Sequence, residues 1–289
     1  MRKYLDAYKP SIWELWLIML VILCLGGTVA TLIGGKVISI LFRPDPESLK
    51  TWLIGLYPLS FTFVFPYVYF RAKEFYLRGN PTLHAAASFG RLPVVLVFLL
   101  FLVLVPFFNI AIEPFSMWIP MPDLFKEIFA SVVQGNWVTV LSVVVAAPLL
   151  EEWLLRGVAL KGLLQRGYSP AAAICWTALM FGVIHLNPWQ AIPAFLMGIL
   201  FGWVYWRTRS LWSSIFLHAV NNGMTLLLTL VFPDLAEDTS TLDLVGMERF
   251  PLVLAAAITA SALIIWLLHK QFPPSASLLK REEKPQITL

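Results

Sequence analysis

Long apolar stretches alternate with short polar connections along the whole chain, and few charges interrupt them. A membrane-crossing helix needs about 20 mostly apolar residues, at about 1.5 Å of rise each, to traverse roughly 30 Å of hydrocarbon. Eight stretches fit or nearly fit: residues 13–42, 51–70, 92–112, 137–160, 171–186, 189–206, 211–232 and 250–268. The expected fold is therefore all-α and polytopic, with about eight transmembrane helices. It forms one integral membrane domain over residues 1–270, followed by a mobile cytoplasmic tail at 271–289. The first stretch is too long for a cleavable signal peptide and lacks a small-residue cleavage site. Its glycine pairs, Gly26-Gly27 and Gly34-Gly35, invite the close approach of another helix. Asn187-Pro188 marks a turn between the fifth and sixth stretches. Residues 123–134 place Leu124, Phe125, Ile128, Phe129 and Val132 at helical spacing, as in an amphipathic interfacial helix; an ordinary loop is the alternative.

Charge orients this arrangement. Alternate connections carry 15 Lys and Arg against 4 in the others, which puts both termini in the cytoplasm, in keeping with an even number of crossings. The positives sit in loops rather than in one tract, so the lipid bilayer and not nucleic acid is the expected partner. A bacterial plasma (inner) membrane is the expected location. Composition agrees: 59% of residues are hydrophobic, 13% are charged, and mean hydropathy is +0.77. A soluble domain carries about twice that charge. Cys24 and Cys175 both lie in apolar runs, which excludes a disulfide scaffold.

An ionisable group inside a crossing costs about 2.5–3.5 kcal/mol on insertion scales, so it marks a place where something is done. Three places stand out within residues 141–230: Glu151-Glu152 with Arg156, Phe181 with His185, and His218 with Asn221-Asn222. Glu152 and Arg156 are four apart and share a helix face, so they can pair, while Glu151 turns away as the carboxylate without a local partner. His218 and Asn222 are likewise four apart. Pro148 lies three residues before Glu151 and removes a backbone donor there. A desolvated carboxylate can take a proton from water, an imidazole can share that task, and an imidazole with an amide can hold an oxyanion. Peptide hydrolysis inside the membrane is the natural reading, with membrane-associated peptides as substrates. Glu151, His185 and His218 could equally form a three-ligand zinc site, although His-Glu-x-x-His is lacking. A proton relay in a transporter and a non-catalytic scaffold are readings of other classes.

These residues resemble the motifs of the CAAX-processing and bacteriocin-processing (CPBP) family of intramembrane proteases, which includes the CAAX prenyl endopeptidases. The family's Glu-Glu-x-x-x-Arg, Phe-x-x-x-His and His-x-x-x-Asn stand here in order as Glu151-Glu152 to Arg156, Phe181 to His185, and His218 to Asn222. The resemblance implies that Glu151 activates water with help from His185, that His218 and Asn222 form the oxyanion hole, and that Glu152, Arg156 and Phe181 support them. A glutamate-type, metal-free mechanism is preferred to the zinc version.

Other polar residues have plainer readings. His84 and His269 are expected at the solvated interface. Glu14, Asn109 and Glu113 are expected to reach toward headgroups. Arg207 and Arg209 are expected to anchor a loop, or else to meet a substrate carboxylate.

Overall fold

Helix starts are written locally by capping side chains. Ser11 Oγ accepts the amide of Glu14 at 3.1 Å and opens α1 (Ile12–Phe42), which ends at Arg43 in the left-handed region with φ 44°. Ser169 starts α6 (Pro170–Val183), Asn187 starts α7 (Pro188–Thr208) and Ser210 starts α8 (Leu211–Val231), each by accepting an amide of the first turn. These elements belong to a computed structural model that describes residues 2–123, 126, 137–232, 239–272 and 279–282. The other long helices are α2 (Pro46–Gly55), α3 (Val64–Leu77), α4 (Val94–Ile112), α5 (residues 137–165) and α9 (Phe250–Gln271), with short helical turns at Arg2–Leu5 and Thr241–Val245. One short two-stranded ladder pairs β1 (Thr82–Ala85) antiparallel with β2 (Leu279–Glu282). Within the tail expected to be mobile, β2 is the part that is described past Phe272. The expected amphipathic helix at 123–134 lies outside the described residues, apart from Asp123 and Lys126.

Among the described residues, four helices are long and apolar enough to cross a membrane: Ile12–Phe42, Val94–Phe115, Pro188–Thr208 and Phe250–Gln271. α6 is a shorter apolar helix. Large apolar side chains such as Trp13, Leu32, Val95 and Trp266 are exposed on their outer faces, as lipid contact requires. The 51–70 stretch differs from the single helix expected. α2 ends at Gly55, a tight 3₁₀ segment follows over Tyr57–Phe63, and α3 begins at Val64. Pro58 supplies the physical reason, because its ring disfavours α geometry at the preceding residue.

The glycine pairs of α1 pack against this broken element. A methyl group on Gly26 would stand 1.9 Å from the Ser60 carbonyl oxygen, and one on Gly34 would stand 2.5 Å from Leu56 Cδ1. α6 and α7 meet by the same device: a methyl on Gly182 would lie 2.7 Å from the Ala191 carbonyl, and one on Gly198 would lie 3.0 Å from Ala178 Cα.

Several polar residues outside the motifs are built into the fold rather than reaching for headgroups. Glu14 Oε1 accepts from Tyr8 at 3.0 Å, Tyr67 at 3.3 Å and Arg71 at 2.8 Å. Glu113 Oε1 accepts the Thr241 amide at 2.7 Å. His269 is drawn inward: Arg207 Nη1 lies 2.9 Å from its Nδ1, and Arg207 Nη2 donates to the carbonyls of His269 and Phe272 at 2.8 Å each. That guanidinium closes the end of α9.

Candidate active site

α5 runs unbroken past Pro148, and the turns before it widen. The Ala147 amide donates to Ser142 five residues back. In that register the next donor, at position 148, would serve Val143, and proline has none. The Val143 carbonyl is left for another partner, and Asn222 Nδ2 of α8 donates to it at 2.9 Å.

One turn further, Glu151 and Glu152 are both buried, at 7% and 0% exposure. As the four-residue spacing predicts, Arg156 Nη1 donates to Glu152 Oε1 at 2.8 Å with neither side chain exposed. Arg156 Nη2 reaches the Gly198 carbonyl on α7 at 2.8 Å, and the guanidinium lies 5.2 Å from the Phe181 ring and 5.5 Å from the Phe201 ring. Desolvation makes such a pair costly unless its remaining groups are also hydrogen-bonded, and here that is met in part: Glu152 Oε2 and Arg156 Nε have no partner among the described residues. Glu152 does more than neutralise Arg156, since the same Oε1 lies 3.1 Å from His218 Nδ1.

The two imidazoles are fixed by groups whose roles are known. A backbone carbonyl only accepts, so His185 Nδ1, 2.8 Å from the Phe181 carbonyl, carries its hydrogen there and leaves Nε2 free. Facing the Glu152 carboxylate, Nδ1 of His218 likewise carries a hydrogen. Phe181 stands edge-on to both rings, 5.2 Å from His185 and 5.1 Å from His218, while Phe201 stacks on His218 at 5.5 Å. The turn after α6 sets the height of His185. Leu186 adopts φ 57°, and Asn187 both caps α7 and donates to the His185 carbonyl at 3.0 Å.

Glu151, Phe181, His185, His218 and Asn222 line one cavity of about 750 Å³, which Trp189, Met197 and Leu226 help make mainly apolar. Glu152 and Arg156 stand behind it. Glu151 Oε2 is buried without a hydrogen-bond partner among the described residues, 4.0 Å from His218 Nε2. A single water can bridge two atoms at that separation. Among the described residues, no three His, Cys, Asp or Glu side chains converge closely enough to hold a metal ion.

Two contributors, Tyr57 and Asn109, come from elements outside the motifs, and a third contact ties α5 to α2. Tyr57 Oη donates to Glu151 Oε1 at 2.6 Å. Asn109 Nδ2 of α4 donates to Asn221 Oδ1 at 3.0 Å, and Asn221 Nδ2 donates to Asn222 Oδ1 at 3.3 Å. Ser142 Oγ donates to the Ile54 carbonyl at 3.4 Å. Asn109, read as a headgroup-seeking residue, thus orients a site amide. The signal that could have found Tyr57 is the Tyr-Pro break in an otherwise apolar stretch.

No curated protein and no solved structure matches the chain. Residues 133–224 match the family model described as Type II CAAX prenyl endopeptidase Rce1-like. That segment, about a third of the chain, holds every motif residue of the cavity, and over it the chain is similar to the CAAX-type membrane proteases.

Proposed function

We propose that the protein is an endopeptidase that hydrolyses peptide bonds of membrane-associated substrates, prenylated C-terminal peptides of the CAAX type included, inside this cavity. The chain crosses the membrane eight times with both termini in the cytoplasm, in accordance with the loop charges. Glu151 Oε2 takes a proton from a water held between it and the imidazole Nε2 atoms of His185 and His218. The water oxygen bonds to the scissile carbonyl carbon, and the carbonyl electron pair moves onto oxygen. His218 is imidazolium throughout the step: Nδ1–H stays on Glu152, and Nε2–H, which first meets the water oxygen, then donates to the oxyanion, so His218 neither gains nor loses a proton. Asn222 donates its second amide hydrogen beside it. Collapse of the oxyanion breaks the C–N bond, and the departing nitrogen takes the proton from Glu151.

The observation that carries this reading is Glu151 Oε2: a buried acceptor without a partner among the described residues, on a side chain that lines a mainly apolar cavity, across a water-sized gap from an imidazole. A metal-free mechanism is supported by the lack of a converging ligand set among the described residues. The test is cleavage of membrane-anchored peptides by purified protein, with and without a zinc chelator, beside Glu151→Gln. Cleavage that survives chelation and vanishes in the variant supports a glutamate protease. Loss in chelator with rescue by zinc overturns the metal-free mechanism, and an active Glu151→Gln overturns the base.

A further inference from the structure

A carboxylate has two equivalent oxygens and rotates easily about its last torsion, so a glutamate base works well only if something decides which oxygen meets the water. In this site one oxygen is taken and one is not. Tyr57 Oη donates to Glu151 Oε1 at 2.6 Å, while Oε2 has no partner among the described residues and lies 4.0 Å from His218 Nε2. Tyr57 belongs to the 3₁₀ segment between α2 and α3, outside the matched residues 133–224, and its side chain lines the cavity.

The segment that carries Tyr57 is itself held. Ser60 Oγ donates to the Tyr57 carbonyl at 2.6 Å, and the Tyr57 ring stands edge-on to Phe61 at 5.9 Å. Behind them, the α1 backbone at Gly26 lies so close to the Ser60 carbonyl that no side chain fits between. The hydroxyl is therefore presented from a backed wall. Facing a carboxylate, it can act only as donor.

We infer that Tyr57 is a positioning residue of this site, whose hydroxyl caps Oε1 of Glu151 and thereby commits Oε2 to the nucleophilic water. This rests on the glutamate-base reading above. It means that the catalytic geometry is completed by the N-terminal half of the chain, and that the matched segment alone holds its base by one fewer contact.

The experiment is steady-state cleavage of a membrane-anchored peptide by full-length wild type, Tyr57→Phe, Glu151→Gln and a protein carrying 3-fluorotyrosine at position 57, each with its thermal unfolding recorded. Tyr57→Phe keeps the ring and removes only the donor. Its kcat should fall by about 10²-fold, the scale of a misplaced catalytic group, with KM unchanged. The fluorinated residue keeps the hydroxyl and should restore kcat. A Tyr57→Phe protein with wild-type kcat overturns the inference, as does a loss shared equally by the fluorotyrosine protein. If Tyr57→Phe does not fold, a ring-fluorination series that grades donor strength without removing an atom decides it: kcat that tracks the series supports positioning, and a flat response overturns it. An inactive Glu151→Gln beside a fully active Tyr57→Phe removes this inference alone, whereas an active Glu151→Gln removes the base on which it rests.

Discussion

Glu152 Oε1 lies 3.1 Å from His218 Nδ1, so the carboxylate that pairs with Arg156 also holds the Nδ1 hydrogen, and with it the ring, of the histidine facing Glu151. Structure and chemistry share one oxygen atom. Glu152→Gln should therefore fail in two ways. Cleavage should drop by about 10–100-fold, the usual cost of losing an orienting contact behind a reactive imidazole. Unfolding should cost about 3–5 kcal/mol less, because Arg156 is left buried without its counter-charge. Turnover and thermal unfolding of the same preparation check both, and a variant that loses only one of them separates the two roles.

Asn222→Ala removes the amide proposed to face the oxyanion. Turnover should fall by about 10²–10³-fold with little change in KM, as for loss of one oxyanion donor. A change confined to KM would place Asn222 in substrate binding instead.

Asn109 acts one step further back, through Asn221, on the same amide. Asn109→Leu keeps the branched shape and removes the donor. Its kcat should fall in the same direction as that of Asn222→Ala but by less, and in the double variant it should add nothing, since residues acting through one group are not additive. Kinetics of the two single variants and the double variant test this.

Gly182 is a contact between helices rather than a hinge. Gly182→Ala would push a methyl group to 2.7 Å from the Ala191 backbone carbonyl, which cannot rotate aside. Destabilisation of about 1–3 kcal/mol is expected from such overpacking, read as a lower unfolding midpoint. Activity should fall with it, because the same turn carries His185.

The motif residues were legible because their spacing is local. Four residues make just over one helical turn, so Glu152 with Arg156 and His218 with Asn222 could be paired from the chain alone. The Asn187-Pro188 turn and the glycine contacts of α1 were legible for the same reason. Tyr57 and Asn109 were not, because each meets its partner across a long loop of sequence, and a lone tyrosine or asparagine near the end of an apolar run has no period that points to a distant helix. The double duty of Glu152 was hidden too: spacing gave it Arg156, but only packing brings α8 against α5 and adds His218. The 51–70 stretch misled because hydropathy reports what a segment dissolves in, not whether its backbone stays helical.

Pro148 takes one rung out of the hydrogen-bond ladder of α5, and a side chain from α8 fills the gap. A half-buried carbonyl without a helix donor still needs a partner, so this one works as a notch that accepts a single tooth. Sliding α8 by one turn, about 5.4 Å, would leave the notch empty and the asparagine amide stranded. The proline thus keys the two helices to one height, and with that height it fixes how far His218 stands above Glu151.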